Sequence, residues 1–251
     1  MVHRRQRLAR RPPARRSPRH RSRGGDGRRA AFGGRDRVLT GWPHPPPSPD
    51  ALDPLTEIWT AGEPIVRCHD GRFGATEFNP GVGAGRFHPF SSPAGGIVPA
   101  IYGASDFDGA LSETLFHDVP VEGGLRALQH SVLRPLLASV LAVRRPLKLA
   151  QLHGFGLGRL GLRRAELIES DADSYPATVL WAAALHAAPE RFDGLVWISR
   201  QHDTSRALVL FGDRVDRRDL ELQEPPLPLY LGSGYERVLE AADKAGIAVF
   251  E

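Results

Sequence analysis

IVPAIYGASDFDGALSETLFHDV, residues 97–119, passes from one kind of backbone into another within a few letters. The first part, IVPAIYGAS, is apolar and bounded by Pro and Gly turns, which reads as a strand or extended segment. In the second part Ala110, Leu111, Thr114 and Leu115 recur at helical spacing, and either Asp106 or Asp108 can cap the helix start. Glu113 falls on the strip beside that apolar face, so a rigid element can aim its carboxylate. Working outward, EPIVRC (63–68) reads as a short strand and GRFHPF (85–90) as a strand or extended segment. Downstream, LRPLLASVLAVRRPLKLAQL (133–152) reads as further strands, SYPATVLWAAALHAAP (174–189) as a strongly apolar helix, and GLVWIS and RALVLFG as two strands. GYERVLEAADKAG is an amphipathic helix ended by Gly246, and IAVFE a last strand. Strands and helices mix without regular β-α-β alternation, which predicts an α+β fold with a mixed sheet and flanking helices.

The charge is divided sharply along the chain. Residues 1–40 hold 14 Arg against Asp26 and Asp36, a balance of +12, so residues 41–251 carry −8 of the total +4. The basic stretch is rich in Pro, Gly and Ser and poor in apolar letters, which predicts a disordered tail, and GWPHPPPSPDALDP (41–54) an extended linker. The folded domain is expected over residues 55–251. One reading of the tail is electrostatic binding to nucleic acid or another anionic surface; another is a solvated tail, or residues 1–37 left untranslated with Val38 supplied by an alternative start codon. No run approaches the roughly 18 apolar residues of a membrane span and no secretory signal opens the chain, so a cytoplasmic protein is expected. Cys68 is the only cysteine, which excludes an internal disulfide and a cysteine cage for zinc.

Several polar residues stand out against strand-like surroundings. Arg67 and Arg86 adjoin apolar letters, where a planar guanidinium fork suits a diphosphate or carboxylate; a half-buried salt bridge is the alternative. Glycosidic cleavage through an oxocarbenium-like transition state needs a fixed negative group, which Glu113 can supply. Tyr102 can stack on a ring or hydrogen-bond a ribose, or serve as core with its hydroxyl at the edge. Ser199 closes the strand GLVWIS outside any G-x-S-x-G elbow, so it reads as a ligand-holding or strand-ending serine, not an activated nucleophile. Gly156, Gly158 and Gly161 spell G-x-G-x-x-G, yet no second parallel strand ending in an acidic residue follows, and they read as a loop. The histidines at 69, 88, 117, 153, 186 and 202 show no metal-binding spacing and are expected at the surface or behind a site.

The ordered series Arg67, Arg86, Tyr102, Glu113 and Ser199 resembles the RES domain family, named for its Arg, Glu and Ser. The A-x-x-E from Ala110 to Glu113, Tyr175 opening a Thr-containing helix, and DG-L-x-W-x-S before Arg200 agree with it in order and spacing. The resemblance runs from about residue 63 to 213. It implies a fold similar to ADP-ribosyltransferases and an NAD-degrading toxin of a toxin–antitoxin pair, a glycohydrolase or phosphorylase with NAD as substrate, no further cofactor and no metal. Arg67 and Arg86 would then bind the diphosphate or ribose, Tyr102 would pack beside the nicotinamide, Glu113 would stabilise the ribosyl cation with Arg86 beside it, and Ser199 would hold the ligand. Implied partners are NAD, water or inorganic phosphate as acceptor, and an Xre-like antitoxin through which alone nucleic acid would be met. Transfer of ADP-ribose to a protein target, and nucleic-acid binding through the Arg-rich tail, are the competing expectations. Val66 stands before Arg67 where the family often has an aromatic residue, and the first 54 residues have no family counterpart.

Overall fold

The computed structural model describes residues 43–117, Val119 and 124–251. The expectation of a disordered tail over residues 1–40 lies outside the described residues. In chain order the strands and helices are β1 (Thr56–Trp59), β2 (Pro64–Asp70), β3 (Ala100–Ala104), α1 (Phe107–Leu111), β4 (Ala127–Gln129), β5 (Leu136–Val143), β6 (Leu147–Gln151), α2 (Phe155–Arg159), α3 (Arg164–Leu167), α4 (Tyr175–Ala187), β7 (Gly194–Ile198), β8 (Arg206–Phe211), β9 (Leu220–Leu222), β10 (Leu227–Pro228), α5 (Gly232–Lys244) and β11 (Ala248–Phe250). The class is α+β. Among the described residues no helix is long and apolar enough to cross a membrane.

Among the described residues nine strands form one sheet in the order β1-β6-β7-β8-β3-β2-β5-β10, with β9 also on β5. Its pairings are antiparallel except β6 with β7, the two strands joined by the crossover that holds α2, α3 and α4. The sheet curls, and the alternation of side chains along each strand sorts them into cores on its two faces. Inside the curl lie Trp59, Ile65, Ile101, Leu141, Leu149, Val196 and Leu208. Outside it are two separate cores. One sets Trp181, Ala182 and Leu185 of α4 against Leu195, Trp197, Val209 and Phe211. The other sets α1, the turn that follows it and α5, through Leu111, Phe116, Val238 and Ala242, against Val66, Ala104 and Ala138.

The seam between these outer cores matters most. β2 and β3 pair at one position, Val66 opposite Ala104, whereas β3 pairs with β8 over its whole length and β2 with β5 over seven residues. Gly103 permits the contact, since a Cβ there would sit 2.4 Å from Ile65 Cγ2 and 3.1 Å from the Val66 carbonyl oxygen. Beyond it the strands part, and the sheet opens between Cys68 and Tyr102, which are packed against different outer cores.

Three local expectations need correcting. GRFHPF is not a strand: Gly85 and His88 form an isolated bridge around a tight bend, and a cis His88–Pro89 peptide follows. Gly156 and Gly158, read as loop, lie in the single turn of α2, where a Cβ on Gly156 would meet the Gln151 carbonyl oxygen at 2.1 Å. The proline-rich residues 43–54 lie on the domain: Trp181 Nε1–H donates to the His44 carbonyl at 2.8 Å, and Leu52 packs on the α4 core.

Candidate active site

Glu113 is positioned by the start of its helix. Asp106 is the N-cap of α1, its carboxylate accepting from Gly109 N at 2.8 Å and from the Ser205 hydroxyl at 2.6–2.7 Å. Gly109 allows this close approach, because a Cβ on it would lie 2.5 Å from Ser205 Cβ. The helix then widens into a π turn over Ser112–Phe116, a rare geometry often found at functional sites. Leu115 and Phe116 of that turn are buried in the α1/α5 core, while Glu113 and Thr114 line a cavity of about 480 Å³.

The carboxylate is held on both oxygens. Trp197 Nε1–H donates to Oε2 at 3.2 Å and the backbone N–H of Arg200 to Oε1 at 3.3 Å. Arg86 Nη1 stands 3.7 Å from Oε2. Trp197 is 1% exposed, and Phe87 meets it edge-on at 5.0 Å, so the indole N–H is a fixed donor.

Arg86 is brought in by the bend that replaced the expected strand. Thr178 Oγ1 of α4 donates to its carbonyl oxygen, and its Nη2 donates to the Ser170 carbonyl at 3.4 Å. The Nε is buried with no partner among the described residues, and the guanidinium lies 5.9 Å from the ring centre of Tyr175. Tyr102 faces the same cavity, its hydroxyl accepting from Phe87 N–H at 3.0 Å, and burial pushes its ionisation well above the ordinary range, so it stays a neutral phenol. Cys68 stands across the opened strands, its thiol pushed up to about 12 by burial and therefore inert as a nucleophile near neutral pH.

Arg86, Tyr102 and Glu113 are thus brought together as expected, and two other candidates are not. Arg67 alternates onto the inner face of β2, away from Cys68, and its Nη1 donates to the carbonyls of Ala75 and Glu77 at 2.8 Å each and of Gly74 at 3.4 Å. Burial lowers its pKa to about 10, which leaves it charged. It does not line the cavity, and its geometry is that of a clamp on the 74–77 loop. Ser199 is fully buried just past β7: its N–H donates to the Ser205 carbonyl, its carbonyl accepts from Arg164, and its hydroxyl has no partner among the described residues. It too does not reach the cavity wall.

In their place the cavity gains Tyr175, Arg200, Asn79, His88 and His117. Tyr175 and Arg200 stand in the sequence phrases that carry the resemblance, but only as the opening of a helix and the end of a strand. His88, expected at the surface or behind a site, is 3% exposed, donates from Nε2 to the Val98 carbonyl at 2.9 Å, and is kept neutral by burial. Among the described residues no group of three His, Cys, Asp or Glu is placed to hold a metal ion.

A carboxylate fixed by two N–H donors, with a guanidinium beside it and two tyrosines around it, can stabilise a developing cation while binding a flat, partly anionic ligand. The model of the RES domain matches residues 64–231, two thirds of the chain. The chain belongs to the RES domain family. That match starts with β2, as the resemblance in the sequence does, and runs past residue 213 to the start of α5. Among solved structures, a chain of the M. tuberculosis MbcT–MbcA toxin–antitoxin complex is similar over 70% of this RES protein and 89% of that chain, with 19% identity and a TM-score of 0.50. At that identity the likeness speaks for the fold. No curated protein matches the sequence.

Proposed function

We propose that this RES protein degrades NAD by breaking the bond between nicotinamide and ribose, and that it is the toxin of a toxin–antitoxin pair. The observation that carries the chemistry is Glu113, held on both oxygens by Trp197 and Arg200 N–H groups at the wall of a cavity it shares with Arg86, Tyr102 and Tyr175. A volume of about 480 Å³ lies within the range of small-molecule sites.

In this reading the C1′–N bond breaks heterolytically, and its electron pair neutralises the pyridinium nitrogen as nicotinamide leaves. Glu113 faces the ribosyl oxocarbenium that remains, and a fixed charge in a partly dry site stabilises it without reorganisation. An oxygen of water or of inorganic phosphate then bonds to C1′; water gives up a proton to solvent, and phosphate dianion gives up none. Tyr102 and Tyr175 offer aromatic faces for a ring of the dinucleotide. NAD is the substrate and no further cofactor takes part.

The toxin role is supported by family membership and by the likeness to a chain from a toxin–antitoxin complex. It implies an antitoxin partner, of the Xre-like kind that the family resemblance suggests, and action in the cytoplasm, where NAD is abundant.

The test is the purified full chain with NAD, with and without phosphate, followed by nicotinamide release and by the adenine-containing product. Glu113→Gln removes the charge and keeps one of the two N–H contacts, because its amide nitrogen cannot accept, and should lower turnover by about 10²–10³-fold or more with the chain still folded. Full activity in that variant refutes the role of Glu113. Adenine label found on a macromolecule instead of in ADP-ribose or its phosphate moves the reading to protein ADP-ribosylation.

A further inference from the structure

The two arginines expected to hold an anionic ligand are not the two that face the cavity. Arg67 is committed to three backbone carbonyls on the other face of β2 and lies outside the cavity wall. Of the two that do line it, Arg86 sits 3.7 Å from the Glu113 carboxylate, so its charge is largely offset. Arg200 is different. Its Nη2 donates to the His117 carbonyl at 2.5 Å and its Nη1 to the Glu169 carbonyl at 3.4 Å; both acceptors are neutral. The Glu169 carboxylate itself is engaged by Arg164 at 2.8 Å. Among the described residues the charged lining therefore holds Arg86 and Arg200 against Glu113, and the guanidinium of the two that no lining carboxylate faces is that of Arg200.

We propose that Arg200 is the residue of this site that binds the diphosphate of a dinucleotide substrate, a part that the family resemblance gives to Arg67 and Arg86. This deepens the reading of the site as NAD-degrading and rests on it. The position suits the task, because the backbone N–H of the same residue holds Glu113 Oε1. A diphosphate gripped by the Arg200 side chain is thereby registered against the carboxylate that meets the ribose carbon. A guanidinium already bonded to carbonyls is also preorganised: the side-chain entropy is lost on folding and not on binding. The competing view of Arg200 is a strap that ties the π turn to the 169 loop through His117 and Glu169, with no part in binding.

Two measurements on the full chain separate these roles. The first is the affinity of ADP-ribose, which carries the diphosphate and lacks nicotinamide, measured by titration calorimetry at two salt concentrations. Arg200→Gln should weaken it about tenfold or more and flatten its salt dependence, while Arg72→Gln, which removes an exposed charge paired with Asp70, should not. The second is the ratio of kcat/KM for NAD to that for nicotinamide riboside, which has the scissile bond and no phosphate; that ratio should fall about tenfold or more in Arg200→Gln. If the strap is what matters, both substrates lose alike, the ratio holds, and the proposal is overturned. If Arg200→Gln folds poorly, Arg200→Lys keeps the charge while losing the fork and should show a smaller drop of the same ratio; an unchanged ratio there and unchanged ADP-ribose affinity also overturn it. A wild-type protein that neither consumes NAD nor binds ADP-ribose overturns the NAD reading and this one with it, whereas NAD consumption with normal ADP-ribose affinity in Arg200→Gln sinks only the assignment of Arg200.

Discussion

The two faces of β2 solve opposite problems with adjacent residues. On the inner face Ile65, Arg67 and His69 are buried, and the polar groups are satisfied by the protein itself: Arg67 by the 74–77 carbonyls, His69 Nε2 by Ser139 Oγ at 2.9 Å. On the outer face the neighbour β3 departs after Val66, and Cys68 is left looking across at Tyr102 into a cavity. Arg67 and Arg86 make the same contrast, since each is 7% exposed, yet one closes a loop and the other faces a carboxylate. Burial of an arginine says little about its use; what separates the two is whether the side chain borders the cavity, as that of Arg86 does and that of Arg67 does not.

The contrast can be broken at several points. The largest effect is expected from Arg67→Met, which leaves three carbonyls on the inner side without their donor and should cost about 2–3 kcal/mol of stability. Chemical denaturation should register it, with ADP-ribose affinity reduced far less than in Arg86→Gln; a selective loss of ligand affinity with normal stability would return Arg67 to the site. Gly103→Ala comes next. Its new Cβ would overlap Ile65 Cγ2, so the strands must separate where they now touch, at about 1–3 kcal/mol and a melting temperature lowered by several degrees. Because Tyr102 is the preceding residue, turnover should fall too, and an unchanged melting curve would show that the β2–β3 contact is looser than described.

Trp197→Phe acts on the cavity side alone. It keeps most of the ring against Phe87 but removes the N–H to Glu113 Oε2, and about a tenfold fall in kcat with KM little changed is expected. Equal damage to KM would point to lost packing and not to a misplaced carboxylate. The smallest effect is that of pH on stability. Burial holds His69, His88 and His186 below the ordinary value of 6.5, so the unfolded chain takes up protons before the folded one does. Their contribution is complete above 6.5 and is lost as pH falls from there through the depressed folded values, a drop of about a few degrees in melting temperature between pH 7.5 and 5.5. His69→Gln should remove part of that slope; an unchanged slope would place the proton uptake on the cavity side or on α4.

Legibility in the sequence followed the range of the interactions. The α1 cap at Asp106, the apolar run of α4 and the end of α5 at Gly246 are set by residues a few positions apart, and local composition and capping chemistry reveal them. GRFHPF misled because its letters suit an extended chain, while the bend that presents Arg86 is fixed by Thr178 and Tyr102, distant in the chain. Arg67 looked like a ligand residue because strand alternation tells which residues share a face but not which face opens onto a cavity.

By itself the sequence determined the mixed α+β character and the acidic body behind a strongly basic first 40 residues, since these rest on local pattern and composition, while Arg86, Tyr102 and Glu113 were singled out by the resemblance to the RES family. Only the tertiary structure decided that β2 and β3 part after a single paired position, that Trp197 and Arg200 hold Glu113, and that Arg200 rather than Arg67 faces the cavity. Strand divergence and charge pairing depend on residues tens of positions apart, and their separation in the chain carries no trace of the distances that folding brings to a few ångströms.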